Sequence, residues 1–317
     1  MRDELAIARP PETGSRPRIG WIGLGQMGLP MAKNLHQSGF NLTVFNRSAN
    51  RTIELAVEGV AIAQDPREVA ESSDIIFTML ADDAALTSVL KGNRGLLSAE
   101  IAGRLLVDMS TISVSGSANI AAAAFEREMG YVRAPVSGST EFARTARLTI
   151  LASGSSGDID RCRPQLDALG NRVIVVGTAE EARVLKLAIN LLIGSTAATL
   201  AETLVLAELG GIDWNTTIDV IGSSAVASPF VTYKLSKLRA RNFRPEFRAN
   251  QIAKDFGLAL ACAGDRASAL RIANTTMSYW RDMSVAGLGE TDLVGCLSLV
   301  ESLVGLPHAE AKYDSQS

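Results

Sequence analysis

Histidine and cysteine are scarce in this sequence. Its 317 residues include two histidines, His36 and His308, and three cysteines, Cys162, Cys262 and Cys296. The histidines have no partner at the spacing of metal ligands, which argues against zinc chemistry. The cysteines are odd in number and far apart, so we expect reduced thiols that serve packing. These absences favour a cytoplasmic protein without a bound metal.

A strong charge of either sign is also absent. The formal net charge is −3, and hydrophobic residues make up 47% of the chain. That balance is typical of a globular protein and gives no reason to expect nucleic acid as a partner. The longest apolar run, about residues 184–209, is interrupted by Lys186, Asn190, Glu202 and Glu208. It is therefore predicted to be a buried helix that does not span a membrane.

Three glycines follow the first predicted strand at the spacing G-x-G-x-x-G. A helical pattern and a second strand complete a βαβ unit of about 30 residues. In such a unit Gly23 permits a tight turn, Gly25 lets the backbone approach a pyrophosphate, and Gly28 lets helix and strand pack closely. The helix N-terminus adds amide donors and a partial positive charge. We therefore predict a dinucleotide cradle made of Gly23, Leu24, Gly25, Gln26, Met27 and Gly28.

The end of the second strand indicates which dinucleotide binds. A site for NAD usually carries Asp or Glu there, to bind the ribose 2′-hydroxyl. This chain has Asn46, Arg47 and Ser48, with Arg51 one turn later. A guanidinium and a hydroxyl suit a 2′-phosphate, and no carboxylate repels it, so NADP(H) is favoured over NAD(H). The alternative is that Arg47 is a solvated surface side chain.

Length and pattern predict two domains after a leader. Residues 1–16 are rich in proline and charge and are predicted to be a flexible leader. In residues 17–178, apolar strands alternate with helices, which predicts an α/β fold with a Rossmann doubly wound, mostly parallel sheet. Residues 179–317 begin with one helix of about 30 residues and are predicted to form an all-helical domain for substrate binding and dimerisation.

Five segments of this chain are similar, in order and spacing, to motifs of the 3-hydroxyisobutyrate dehydrogenase-like, or β-hydroxyacid dehydrogenase, family. They are GWIGLGQMGLPMAKNL (20–35), VDMST (107–111), APVSG (134–138), KLAIN (186–190) and NFRPEFRANQIAKDFGLAL (242–260). The resemblance covers about residues 18–305. It implies hydride transfer between NADP(H) and a small oxo acid or hydroxy acid. It also implies a homodimer or homotetramer in which the long helices pair.

The resemblance assigns further residues to the cofactor. Met79 and Leu80 resemble the loop that passes the nicotinamide, and Thr111 resembles the contact to the nicotinamide ribose. Taken alone, Thr111 would more simply be a helix cap. Lys254 matches a family lysine near the cofactor, and the adjacent Asp255 is expected to orient the helix.

Lys186 is the predicted catalytic residue. It lies on an apolar helical segment four residues before Asn190, so the two side chains share a face. Together with the resemblance, this pattern predicts that Lys186 protonates the carbonyl oxygen and that Asn190 orients the ammonium or binds that oxygen. The alternative is a lysine whose ammonium reaches solvent. Ser137 and the amide of Gly138 resemble the family's clamp for the substrate carboxylate.

The loops around the substrate depart from the family pattern. Larger residues replace the usual glycines after the clamp, and Glu180, Glu181 and Ala182 replace a Gly-x-Gly. We therefore expect a narrow pocket and a substrate of roughly two to four carbons. Arg133, which replaces the family's usual aspartate, and Arg147 could contact the substrate or lie outside the pocket as strand-edge charges. An imine reductase and a non-catalytic NADPH-binding module remain alternatives, although Lys186 argues against both.

Replacing Arg47 tests the predicted cofactor preference. In Arg47→Asp, the ratio of kcat/KM for NADPH to that for NADH should fall at least about tenfold, because a charge-assisted contact worth about 1.5–3 kcal/mol is lost. Initial rates with each cofactor at one substrate concentration measure the ratio. An unchanged ratio would show that Arg47 does not read the 2′-phosphate.

Overall fold

The N-terminal part of the protein is built on one sheet. The computed structural model describes residues 16–306. Within them the strands are β1 (Ile19–Ile22), β2 (Leu42–Phe45), β3 (Ala61–Ile62), β4 (Ile75–Thr78), β5 (Leu105–Asp108), β6 (Gly130–Arg133), β7 (Val136–Ser137), β8 (Leu148–Ser153) and β9 (Gly170–Gly177). The predicted leader, residues 1–16, and the last residues of the predicted helical domain, 307–317, lie wholly or almost wholly outside that part of the chain.

The strand order is that of a doubly wound fold with an added antiparallel end. Neighbouring strands follow the order β3-β2-β1-β4-β5-β6-β8-β7, and β9 pairs with β8. The six strands β1 to β6 run parallel, β8 runs antiparallel to β6 and β7, and β9 runs parallel to β8. Strands β2 and β3 are added on one side of β1, and the chain then crosses over to continue with β4 on the other side of β1. The predicted α/β class is confirmed.

Helices cover both faces of this sheet. They are α1 (Gly28–Gln37), α2 (Ile53–Val57), α3 (Pro66–Ser72), α4 (Asp83–Leu90), α5 (Val114–Phe125), α6 (Thr140–Arg144) and α7 (Ser156–Leu169). Four of them begin where a side chain accepts a hydrogen bond from a first-turn amide: Asp65, Asp82, Ser113 and Ser155. Strands β1, β4 and β5 are buried at every residue, as a sheet covered on both faces requires.

The C-terminal part is helical as far as the structure describes it. Its helices are α8 (Glu181–Leu209), α9 (Trp214–Ser223), α10 (Pro229–Arg239), α11 (Ala249–Ala263), α12 (Arg271–Val285) and α13 (Cys296–Leu303). Helix α8 packs against α11, α12 and α13. By length and composition alone α8 could cross a membrane, but here its apolar residues from Ala197 to Val205 form the core of the helical bundle.

A buried ion pair joins α8 to the sheet. Arg183, on the first turn of α8, donates to the carboxylate of Asp108 at the end of β5. It also donates to the carbonyl oxygen of Ser110 at 2.6 Å and to the hydroxyl of Tyr131 at 3.2 Å. Asp108 accepts a further hydrogen bond of 2.7 Å from Thr78. The side chains of Arg183 and Asp108 are 1% and 0% exposed, so neither charge has water as an alternative partner.

Removing the arginine should destabilise the whole protein. In Arg183→Met the Asp108 carboxylate would stay buried without its cation, and the free energy of unfolding should fall by about 3–5 kcal/mol. Urea denaturation followed by circular dichroism measures this loss. Arg161→Met, which removes a half-exposed ion pair with Asp158, should cost less than about 1 kcal/mol. Equal losses in the two variants would contradict the role of the buried pair.

Candidate active site

A cavity of about 570 Å³ lies between the carboxyl ends of the strands and helices α8, α10 and α11. In doubly wound folds this edge of the sheet is where ligands bind. The cavity brings together most of the predicted site residues: Gly25, Gln26, Met27, Gly28, Met79, Leu80, Thr111, Ser137, Gly138, Lys186, Asn190 and Lys254. The other predicted residues, Gly23, Leu24, Asn46, Arg47 and Ser48, do not line it.

The loop between β1 and α1 has the geometry of a pyrophosphate cradle. Gly23 has φ +103°, and a Cβ atom there would lie 2.3 Å from the carbonyl oxygen of Met79. A Cβ at Gly28 would lie 2.0 Å from the carbonyl oxygen of Gly23. A Cβ at Gly25 would meet no atom within 4 Å, because this residue faces open space. Two glycines thus shape the turn and the third leaves room for a phosphate, so the residues fit a dinucleotide.

The end of β2 holds that loop in place. The Asn46 side chain accepts a hydrogen bond of 2.8 Å from the amide of Leu24 and donates one of 3.0 Å to the carbonyl of Ser48. The sequence predicted Asn46 as a cofactor contact and did not predict this bracing. Arg47 and Arg51 are exposed, and neither forms an ion pair with another residue in the range 16–306. Their guanidinium groups are therefore available to a ligand.

Lys186 is a partly buried cation in the cavity wall. Burial lowers the pKa of its ammonium to about 8, and the nearby Lys254 lowers it further, whereas Asp255 opposes the shift. Within residues 16–306 its side chain forms no hydrogen bond. Lys186 is therefore protonated at neutral pH, yet close enough to its pKa to give up the proton.

Asp255 is a site residue that sequence reasoning misplaced. It was expected to orient its helix, but it lines the cavity, is 3% exposed and accepts a hydrogen bond of 2.5 Å from the Asn190 side-chain amide. Burial raises the pKa of its carboxyl, and Lys254 and Lys186 counteract this. The signal was its position in α11, beside the buried Phe256 and on the apolar face of the helix.

Lys254 connects the two domains. Its ammonium donates hydrogen bonds of 2.8 Å to the carbonyl of Ala81 and 2.6 Å to the carbonyl of Thr111, and lies 3.2 Å from a carboxylate oxygen of Asp255. The two carbonyls belong to the loops that follow β4 and β5. The lysine predicted to lie near the cofactor therefore also holds α11 against the loops that would flank the cofactor.

The substrate end of the cavity contains Ser137 and Gly138 but neither of the two arginines considered for it. Arg133 is buried, donates to Glu180 with its Nε at 2.9 Å and lies over the ring of Tyr131. Arg133 therefore lies outside the cavity, as the second of the two alternatives held, but as a buried paired charge and not as a charge at a strand edge. Arg147 is exposed and lies 5.3 Å from the ring centroid of Phe142, which itself lines the cavity.

The opposite wall comes from α10 and the loop after it, and the sequence did not predict it. Phe247 and Tyr233 line the cavity there, and the Tyr233 hydroxyl donates to Glu246. The ammonium of Lys234, 3% exposed, donates to both carboxylate oxygens of Asp292 at 2.8 and 3.1 Å. Asp292 thereby neutralises this lysine, so that the pair adds little net charge to the cavity.

Two alanine substitutions separate the roles of the glycines. Gly25→Ala should leave the free energy of unfolding within about 1 kcal/mol of the wild type. It should nevertheless weaken NADP⁺ binding by at least about tenfold, because a methyl group enters the phosphate space. Gly28→Ala should lower the free energy of unfolding by about 1–3 kcal/mol, because its Cβ meets backbone. Calorimetric titration and urea denaturation measure the two effects. Unaltered NADP⁺ affinity in Gly25→Ala would exclude the cradle.

Comparison with known proteins identifies the family. Residues 18–177 match the NAD binding domain of 6-phosphogluconate dehydrogenase, and residues 181–300 match the NAD-binding family of NADP-dependent 3-hydroxyisobutyrate dehydrogenase. The chain is 33% identical over 290 residues to 2-(hydroxymethyl)glutarate dehydrogenase of Eubacterium barkeri, which covers 91% of this chain and 96% of that protein. It is 30% identical over 283 residues to glyoxylate/succinic semialdehyde reductase 1 of Arabidopsis thaliana, which covers 89% of this chain and 98% of that protein.

A solved structure shares the fold over nearly its whole length. The crystal structure of 3-hydroxyisobutyrate dehydrogenase from Salmonella typhimurium superimposes with a TM-score of 0.80 at 27% identity, covering 89% of this chain and 99% of that one. The resemblance inferred from the five sequence segments is therefore confirmed. The chain belongs to the 3-hydroxyisobutyrate dehydrogenase family of NAD(P)-dependent oxidoreductases, which act on the CH–OH group of hydroxy acids.

Proposed function

We propose that this enzyme interconverts a small carboxylate-bearing aldehyde or ketone and its hydroxy acid, with NADP(H) as cofactor and Lys186 as proton donor. The observation that carries the proposal is the position of Lys186. Its ammonium, with a pKa of about 8, lines the same cavity as Asn190 and Asp255 on one side and Ser137 and Gly138 on the other. An acid near its pKa and a set of neutral donors suit reduction of an oxo acid.

Each of these residues has a distinct task in the proposed reaction. NADPH, when bound, supplies the hydride. The Ser137 hydroxyl and the Gly138 amide donate to the substrate carboxylate and hold the carbonyl in place. Lys186 gives a proton to the carbonyl oxygen as that oxygen gains negative charge, and its neutral amine takes the proton back in the reverse direction. Asp255 holds the Asn190 side-chain amide, and the Asn190 side-chain oxygen, which has no hydrogen-bond partner among residues 16–306, is available to orient the ammonium.

Two arginines and a hydroxyl support the preference for NADP(H). Arg47, Ser48 and Arg51 are exposed together after β2, the strand whose end lies beside the adenosine ribose in doubly wound folds. A 2′-phosphate needs cationic donors at this place. Arg47 and Arg51 form no ion pair with another residue in the range 16–306, so both guanidinium groups can serve as such donors. NAD(H) would find no carboxylate at residues 46–48 for its 2′-hydroxyl.

The exposed apolar side chains of α8 support an oligomer. Val184, Leu192 and Leu206 are 44%, 69% and 71% exposed, and Leu185 and Leu209 on the same helix are 39% and 55% exposed. We propose that this face pairs with a second copy in a homodimer, or in a homotetramer built from such dimers. Light scattering should give at least twice the mass of 33.6 kDa at micromolar concentration. A stable monomer would refute the pairing.

Lys186→Ala should lower turnover by about 10²–10⁴-fold, because general acid catalysis is lost. The affinity for NADPH should stay nearly that of the wild type, since the cradle lies elsewhere. Lys91→Ala, which removes an exposed lysine that does not line the cavity, serves as the control and should leave turnover intact. Turnover near the wild-type value in Lys186→Ala would exclude its role.

The pKa of Lys186 also predicts opposite pH profiles for the two directions. Reduction needs the protonated ammonium, so its kcat should fall as the pH rises through about 8. Oxidation needs the neutral amine, so its kcat should rise over the same interval. Asp255→Asn removes the charge that raises this pKa and should move both transitions to lower pH by about one unit. Transitions that stay in place would show that another group titrates.

A panel of substrates tests the proposed reaction class. With NADPH, glyoxylate or succinic semialdehyde should be reduced and cyclic imines should not, because the clamp offers donors to a carboxylate. Ser137→Ala should raise KM for the active oxo acid more than it lowers kcat. Rapid reduction of imines with every oxo acid inert would indicate an imine reductase. Inertness of the entire panel would favour a non-catalytic NADPH-binding protein.

A further inference from the structure

Arg248 is a cation of the cavity that the proposed reaction leaves without a task. It immediately precedes α11 and lines the cavity from the helical domain. Its Nη1 donates a hydrogen bond of 3.3 Å to the side-chain oxygen of Gln26, across the cleft. Its Nε lies 3.0 Å from a carboxylate oxygen of Glu290, which is mostly exposed. Glu290 therefore orients the guanidinium through its Nε, and the Nη1 end of the group points at the glycine loop.

The glycine loop needs a cation from outside itself. Residues 23–28 are Gly-Leu-Gly-Gln-Met-Gly and carry no charged side chain. A pyrophosphate bears two negative charges there, against which the loop offers only amides and the helix dipole. Gln26 lies within this loop, beside the open space at Gly25. A group that reaches Gln26 from across the cleft is thus close to the place where the phosphates would lie.

The other cations that line the cavity are committed elsewhere. Lys234 is paired with Asp292, and Lys254 donates to two backbone carbonyls. Lys186 lies with Asn190 on α8, at the substrate end. Arg248, by contrast, shares its Nε with a solvent-screened carboxylate and its Nη1 with the uncharged Gln26, and its Nη2 donates no hydrogen bond within residues 16–306. Its two Nη groups can therefore make a planar, two-point contact with phosphate oxygens.

We propose that Arg248 is the second half of the pyrophosphate site, contributed by the helical domain. On cofactor binding its Nη groups leave Gln26 and donate to the phosphate oxygens, while Glu290 keeps the guanidinium oriented. The contact closes the cleft over the cofactor. It also ties α11 to the phosphates, and the same helix carries Lys254 and Asp255 two turns further on. This inference rests on the dinucleotide site of the proposed function but not on the identity of the substrate.

Three matched arginine variants test the assignment by binding alone. The dissociation constants of NADP⁺ and NAD⁺ are measured calorimetrically, without substrate, for Arg248→Gln, Arg47→Gln and Arg244→Gln. Arg248→Gln should weaken both dinucleotides by a similar factor, at least about tenfold, because they share the pyrophosphate. Arg47→Gln should weaken NADP⁺ only, since NAD⁺ has no 2′-phosphate. Arg244 is exposed on the same loop and does not line the cavity, so Arg244→Gln should change neither constant.

The outcomes separate this inference from the proposed function. Wild-type affinity for both dinucleotides in Arg248→Gln overturns the role of Arg248 and leaves the oxidoreductase proposal standing. A selective loss of NADP⁺ affinity overturns it too, because Arg248 would then read the 2′-phosphate. Inert oxo acids together with the expected binding pattern would reject the substrate proposal alone. A melting temperature of Arg248→Gln equal to that of the wild type shows that the effect is not a loss of fold, and Arg248→Lys should recover part of the affinity.

Discussion

The geometry of the site depends on the buried ion pair between Arg183 and Asp108. Because Asp108 ends β5 and Arg183 lies in the first turn of α8, their contact sets where the long helix starts relative to the edge of the sheet. Lys186 follows three residues later and Asn190 seven residues later, so all three side chains lie on one face of the helix. Burying two charges is costly, and four further hydrogen bonds offset part of that cost: Thr78 and Ser110 donate to Asp108, and Arg183 donates to the carbonyl of Ser110 and the hydroxyl of Tyr131.

A second buried pair links two departures from the family pattern that looked unrelated in the sequence. Arg133 stands where an aspartate is usual and Glu180 where a glycine is usual, and the structure brings them into contact. Either change alone would place an unpaired charge near the base of α8. Together they join the start of α8 to the sheet, as Arg183 does, but through the neighbouring strand β6. Arg133 and Glu180 thus belong to the connection between the domains and do not line the cavity.

Local sequence patterns were enough to predict most of the fold and part of the candidate site. Alternating strands and helices predicted the sheet, and the glycine spacing predicted a cradle whose steric details at Gly23 and Gly28 match it. Lys186 stood out because a lysine on an apolar helix is costly. Contacts between distant residues had no such signal. The bracing of Leu24 by Asn46 depends on how neighbouring strands of the sheet pair, and the hydrogen bond of Asp255 with Asn190, 65 residues apart, depends on how α11 packs on α8.

The bonds of Lys254 have a consequence for how such an enzyme can change over generations. Both acceptors are backbone carbonyls, of Ala81 and Thr111, and every amino acid provides one. Substitutions at these two acceptor positions therefore keep both acceptor atoms, whereas replacement of Lys254 removes the donor of both hydrogen bonds. Side chains around the substrate, such as Phe142, are then free to vary without loosening the cleft. A contact between domains that is made on one side by main-chain atoms thus persists while the side chains around the substrate change.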